Sequence, residues 1–136
     1  MPHSSERLQA TLAAFDDANR QDPNTETVNG KAYPKELLYG QRMTEELHRF
    51  DPEAPEILQL AARCQHIRRW ESPRSDYPDG RAGYKKWRSQ LGLFHGRVAG
   101  RLMAEHGYPQ EDIERVQNLL IKRNLKRDPV MQTLEE

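Results

Sequence analysis

The chain of 136 residues contains one cysteine, Cys64, which excludes an internal disulfide and any zinc site built on paired thiolates. It sits in an alanine-rich stretch and reads as a small core residue. No run of about 18 apolar residues occurs, so no transmembrane helix and no membrane partner are expected. The start, Met1-Pro2-His3-Ser4-Ser5, has neither the basic residues nor the apolar stretch of a secretory signal, and a cytoplasmic location is expected. Sustained alternation of β-branched and aromatic residues is also missing, which argues against a sheet. There is no glycine-rich phosphate loop, no serine nucleophile motif and no His-Glu-x-x-His pattern.

Net charge is missing too, because 21 Lys and Arg balance 21 Asp and Glu. The balance conceals an uneven distribution. Residues 1–62 carry 6 basic and 11 acidic side chains, residues 63–101 carry 10 and 3, and residues 102–136 carry 5 and 7. The centre is therefore basic, and it also gathers aromatic and histidine residues. With 35% apolar against 31% charged residues, the chain supports one modest core and a single domain over 1–136.

Proline and glycine divide the chain into amphipathic helical segments, and the expected architecture is all-α, a bundle of five to six helices. The first is expected over about Ser5–Arg20, with Leu8, Leu12 and Phe15 on one stripe. A polar loop should follow to Lys31. Pro34 then reads as the first residue of a second helix, with Tyr39, Met43, Leu47 and Phe50 inward and Asp51-Pro52 as its stop. The third helix starts near Pro55. Its apolar residues, from Ile57 to Ile67, cover most of the circumference, as in a central helix that carries His66 near its end. Glu71 to Gly83 reads as a long loop of the kind that often serves function. The fourth helix runs to about His106, with Tyr84, Trp87, Leu91, Phe94, Val98 and Leu102 inward, and Gly107 as cap. A fifth opens at Pro109, with Ile113, Val116 and Leu120 as its core line. Asp128-Pro129 opens a sixth helix with few residues left to complete it, so the chain is expected to be a truncated form of a longer protein.

Two histidines stand out. His95 shares the inward line of the fourth helix with Leu91 and Val98, and His66 lies four residues from both Ala62 and Trp70. Neighbouring inward histidines can hold a phosphate or share a metal; the plainer reading of each is a hydrogen-bonded core residue. The basic run adds Arg68, Arg69, Arg74, Arg81 and Arg88, interleaved with Tyr84 and Trp87. Forked guanidinium donors suit phosphate or carboxylate, and aromatic faces can stack a base or an arginine. A solvated basic face is the alternative, with Glu71 and Asp76 as salt-bridge partners. His3, His48 and His106 read as surface residues.

The segment Ala61-Ala62-Arg63-Cys64-Gln65-His66-Ile67-Arg68-Arg69-Trp70, followed by Pro73-Arg74, Tyr77-Pro78, Arg81, Gly83-Tyr84, Trp87-Arg88 and Phe94-His95, resembles the family catalogued as domain of unknown function 4202. That resemblance runs from the Asp-Pro near residue 22 through Asp128-Pro129, and it implies a further apolar helix after Glu136. More distantly, the helical order is similar to the His-Asp phosphohydrolase superfamily. This likeness would place His66 and His95 at two of its metal-binding histidines. Ile67 stands where the aspartate of the His-Asp pair belongs, no histidine occurs near Tyr39 to Gln41, and the late aspartate would lie beyond Glu136. The similarity implies the fold, whereas two histidines alone make a weak cation site.

The favoured expectation is a pocket for a phosphorylated or anionic small molecule, nucleotide-like, lined by Arg68, Arg69, Arg74, Arg81, Tyr84, Trp87 and Arg88, with His66 and His95 as candidate catalytic groups. The alternatives are a divergent phosphohydrolase acting on a phosphoester and an RNA-binding module. Zero net charge and the acidic first half disfavour nucleic acid. No cofactor is assigned, and a divalent metal would need residues after Glu136 to complete its site. An incomplete last helix would expose apolar surface through which two copies could pair as a homodimer.

Overall fold

The structure, a computed structural model, describes residues 4–125. Its element order is α1 (Ser4–Asn19), β1 (Thr25–Val28), β2 (Lys31–Pro34), α2 (Lys35–Phe50), α3 (Glu56–Arg63), two short 3-10 turns (Arg69–Glu71 and Arg74–Asp76), α4 (Arg81–Glu105) and α5 (Gln110–Leu125). The mostly helical single-domain expectation holds, with five α-helices among the described residues. The sixth helix, expected from residue 128, lies outside them.

The main core forms where the expected stripes meet. Leu8, Leu12 and Phe15 of α1 pack with Leu60 and Ala61 of α3, Val98, Ala99 and Met103 of α4, and Ile113, Val116 and Leu120 of α5. Helices α4 and α5 approach closely because Gly96 and Gly100 lack side chains. A Cβ on Gly100 would lie 2.8 Å from the Gln117 amide nitrogen and 3.0 Å from Ile113 Cγ2. Gln117 uses that proximity to donate to the Gly96 carbonyl at 3.0 Å. Cys64 is fully buried, and burial pushes its thiol up to about 12.

Three expectations need correction. The supposed polar loop before α2 is an antiparallel hairpin with Thr25 opposite Pro34 and Val28 opposite Lys31. Asn29 and Gly30 both have positive φ, 51° and 81°, which is the two-residue turn that Asn-Gly favours. Pro34 is therefore the last residue of β2 and precedes α2 rather than opening it. Second, α2 buries Glu36, Leu37, Gly40 and Thr44, a stripe turned away from the expected one, while Phe50 is 91% exposed. The buried stripe follows the approach of α3, since a Cβ on Gly40 would lie 2.7 Å from the Arg63 carbonyl oxygen.

Third, α3 ends at Arg63 rather than carrying His66. The chain turns at Cys64 and Arg68, and Arg68 takes the left-handed conformation with φ 53°. Backbone groups that a longer helix would pair internally are taken by other elements. The Arg68 amide donates to Asn19 Oδ1 of α1 at 2.9 Å, and the Ile67 carbonyl accepts from His95 of α4 at 2.8 Å. The loop that follows is ordered by Arg74, whose guanidinium donates to the carbonyls of Tyr77, Pro78 and Gly80.

Candidate functional site

The connection over residues 64–71 lies between α2 and the first half of α4, and it presents His66 and Arg69 to them. His66 Nδ1 is 3.2 Å from Glu36 Oε1. The carboxylate accepts, so Nδ1 carries the proton and Nε2 keeps a lone pair while the ring is neutral. Tyr39, one turn after Glu36, stacks on the imidazole with centroids 3.7 Å apart and planes 3° from parallel. Its hydroxyl donates to Gln65 Oε1 at 3.2 Å. Residues from α2 thus fix His66 in both tautomer and plane.

Helix α4 supplies the other wall. His95 is 1% exposed and its ring centre lies 6.4 Å from that of His66. Because the Ile67 carbonyl can only accept, His95 Nδ1 is also protonated. Burial drives the His95 pKa down to about 3; the charges of His66, Arg69 and Arg88 push the same way and the bond to Ile67 opposes them. The ring is neutral at physiological pH. Trp87 is buried, donates its indole N–H to Ser72 O at 2.8 Å, and lies under the Arg69 guanidinium at 5.0 Å from the ring centre. Tyr84 packs against Trp87 at 5.9 Å.

Arg69 is taken largely out of water. Burial lowers its pKa, and the charge of Glu36 is the strongest influence holding it up. A half-buried cation, a buried carboxylate and a buried neutral imidazole in one cluster are costly to desolvate, and such groups gather preferentially at functional sites. Arg88, half-buried one turn after Tyr84, adds a second positive charge near His95. Among the described residues, no group of three or more His, Cys, Asp and Glu is placed to hold a metal ion.

The structure brings together six of the residues singled out from the sequence, namely His66, Arg69, Tyr84, Trp87, Arg88 and His95. It directs the other three elsewhere. Arg68 turns toward the end of α1, donating to Ala18 O and Gln21 Oε1 and pairing through two nitrogens with Glu71. Arg74 holds its own loop. Arg81 is exposed in the first turn of α4, seven residues before Arg88 and so near the same helix face. His48 is exposed, His106 bonds the Leu102 carbonyl at 2.7 Å, and His3 lies outside the described residues. Glu36 and Tyr39 are the members that sequence reasoning missed. Glu36 looks like an ordinary first-turn acid, and nothing local marks its pairing with a histidine 30 residues away.

A family model described as a domain of unknown function, DUF4202, matches residues 9–136. No curated protein and no solved structure matches the chain.

Proposed function

We propose that this chain, which belongs to the DUF4202 family, binds a phosphorylated or anionic small molecule at the polar cluster between α2, the 64–71 connection and the first half of α4. The observation that carries the proposal is the meeting of Glu36, His66, Arg69 and His95, from three separate segments, in one largely buried cluster to which Arg88 adds a second cation against the single carboxylate. Arg69 and Arg88 supply the charge, with Arg81 nearer solvent on the same helix. A phosphate oxygen approaching Arg69 gains a charge-assisted, forked contact in a poorly solvated setting, where such bonds are strongest. Trp87 backs the Arg69 guanidinium and limits its rotamers, and Tyr84 packs against Trp87. Thermal-shift measurements with nucleotides and sugar phosphates test this reading: a rise in Tm that Arg88→Ala abolishes supports it, and a flat panel refutes it.

The Glu36–His66 pair favours a second reading, phosphoester hydrolysis. A carboxylate that accepts from Nδ1–H fixes the tautomer and the plane of the imidazole, the arrangement that orients histidines in acid–base catalysis. Phosphate release by the wild type, lost in His66→Gln with ligand-induced stabilisation retained, distinguishes catalysis from binding alone.

A further inference from the structure

We propose that a second cleft, between the end of α1, the Arg69–Glu71 turn and the middle of α4, binds a small molecule bearing two or more consecutive phosphates. The cleft has a volume of about 630 Å³, and its walls include Gln21, Arg68, Glu71, Phe94, Arg97 and Arg101. That size suits a small-molecule ligand.

Its charges are unequally used. Arg68 and Glu71 face each other through two hydrogen bonds of 2.6 and 3.0 Å and cancel. Arg68, hydrogen-bonded to Glu71, holds that carboxyl below its usual range, and Arg101 adds a smaller pull in the same direction. Arg97 and Arg101 remain. Both are exposed, and neither takes part in an ion pair among the described residues. Arg97 instead lies over the Phe94 ring, 6.0 Å from its centre.

Like charges four residues apart on one helix face repel and weaken the helix. An anion that spans one helical turn, about 5.4 Å, converts this repulsion into two attractions. Two guanidinium forks at that spacing suit adjacent phosphates, one per fork, better than a lone phosphate that can satisfy only one fork well. The cleft is separate from the His66 cluster. Arg97 follows His95 by two residues, which at 100° per residue turns it to the far side of α4. The connection serves both places, because the left-handed Arg68 faces the cleft while its neighbour Arg69 faces the cluster.

Calorimetric titration of the full chain with inorganic triphosphate at physiological ionic strength tests this assignment. The wild type should bind one equivalent at the cleft, and Arg97→Ala/Arg101→Ala should weaken that binding at least about tenfold, the scale of one charge-assisted contact. Both side chains are exposed, so the fold should survive, as circular dichroism will register. Lys85→Ala/Lys86→Ala, which removes the same charge from exposed positions elsewhere on α4, should change affinity by less than about twofold. Arg88→Ala should leave cleft binding intact, which separates this site from the first. Equal loss in the two double variants would reduce the effect to diffuse charge and overturn the assignment. So would absence of triphosphate binding, or binding of oligonucleotides alone.

Discussion

His95 donates its Nδ1 proton to the carbonyl oxygen of Ile67, 2.8 Å away, and so ties the middle of α4 to the turn that presents His66 on one side and Arg68 on the other. Ile67 is itself fully buried in the main core. The hydrophobic side chain anchors the connection, and the backbone bond sets its orientation. What the cluster can bind depends on this joint, because Arg69 follows two residues later.

The joint makes stability depend on pH. His95 is neutral in the fold, with its pKa driven down to about 3, whereas in the unfolded chain it titrates near 6.5. Between these values the unfolded state binds more protons, so stability falls as pH drops below about 6.5, by up to about 1.4 kcal/mol per unit. His66, Arg69 and Arg88 face the same ring and oppose its protonation. Urea denaturation from neutral to acid pH should show this slope, and His95→Asn should flatten it while lowering stability at neutral pH. An equal slope in the variant would assign the acid sensitivity to other groups.

Gly83 holds the loop against α4. A Cβ there would lie 1.8 Å from the Pro78 carbonyl oxygen, a backbone atom that cannot step aside alone. In an unhindered helix Gly→Ala is stabilising by about 1 kcal/mol; here the clash should win, and Gly83→Ala should destabilise by about 1–3 kcal/mol. The expected reading is a lower Tm. A higher Tm would mean that the loop yields freely.

Adjacent arginines should behave differently. Arg68 joins the connection to Ala18, Gln21 and Glu71, in a partly solvated setting, so Arg68→Ala should cost about 1 kcal/mol of stability and spare binding at the His66 cluster. Arg69→Ala should remove that binding. Parallel thermal melts with and without the anion found by the ligand panel compare the two, and the reverse pattern would contradict the placement of the site.

Cys64 should be inert in the fold. Its thiol is fully buried and pushed up to about 12, so almost no thiolate exists at neutral pH. An aromatic disulfide reagent should titrate no thiol in native buffer and one in denaturant. Rapid native labelling would show that the core around Cys64 opens locally.

Much of the fold was legible because the apolar spacing is regular. Leu8, Leu12 and Phe15, and likewise Ile113, Val116 and Leu120, occupy the core positions that their periodicity indicates. The hairpin carries little pattern because both strands have only four residues and neither buries any of them, and the Asn-Gly turn was the one usable signal. The end of α3 had no local signal at all. Cys64 and Ile67 continue the apolar spacing, and the helix stops because Asn19 and His95, far away in sequence, take the backbone groups of residues 67 and 68. The site divides in the same way. His66, Arg69, Trp87 and His95 were conspicuous by residue type, while Glu36 becomes informative only once α2 is seen to lie against His66.

The central claim is that anions are recognised at the His66 cluster, and side-chain NMR during titration with the best anion from the panel tests it most directly. The imidazole signals of His66 and His95 and the indole N–H of Trp87 should move together and saturate with one affinity. The contradicting result is that these signals stay still at saturation while the anion perturbs other residues, or nothing.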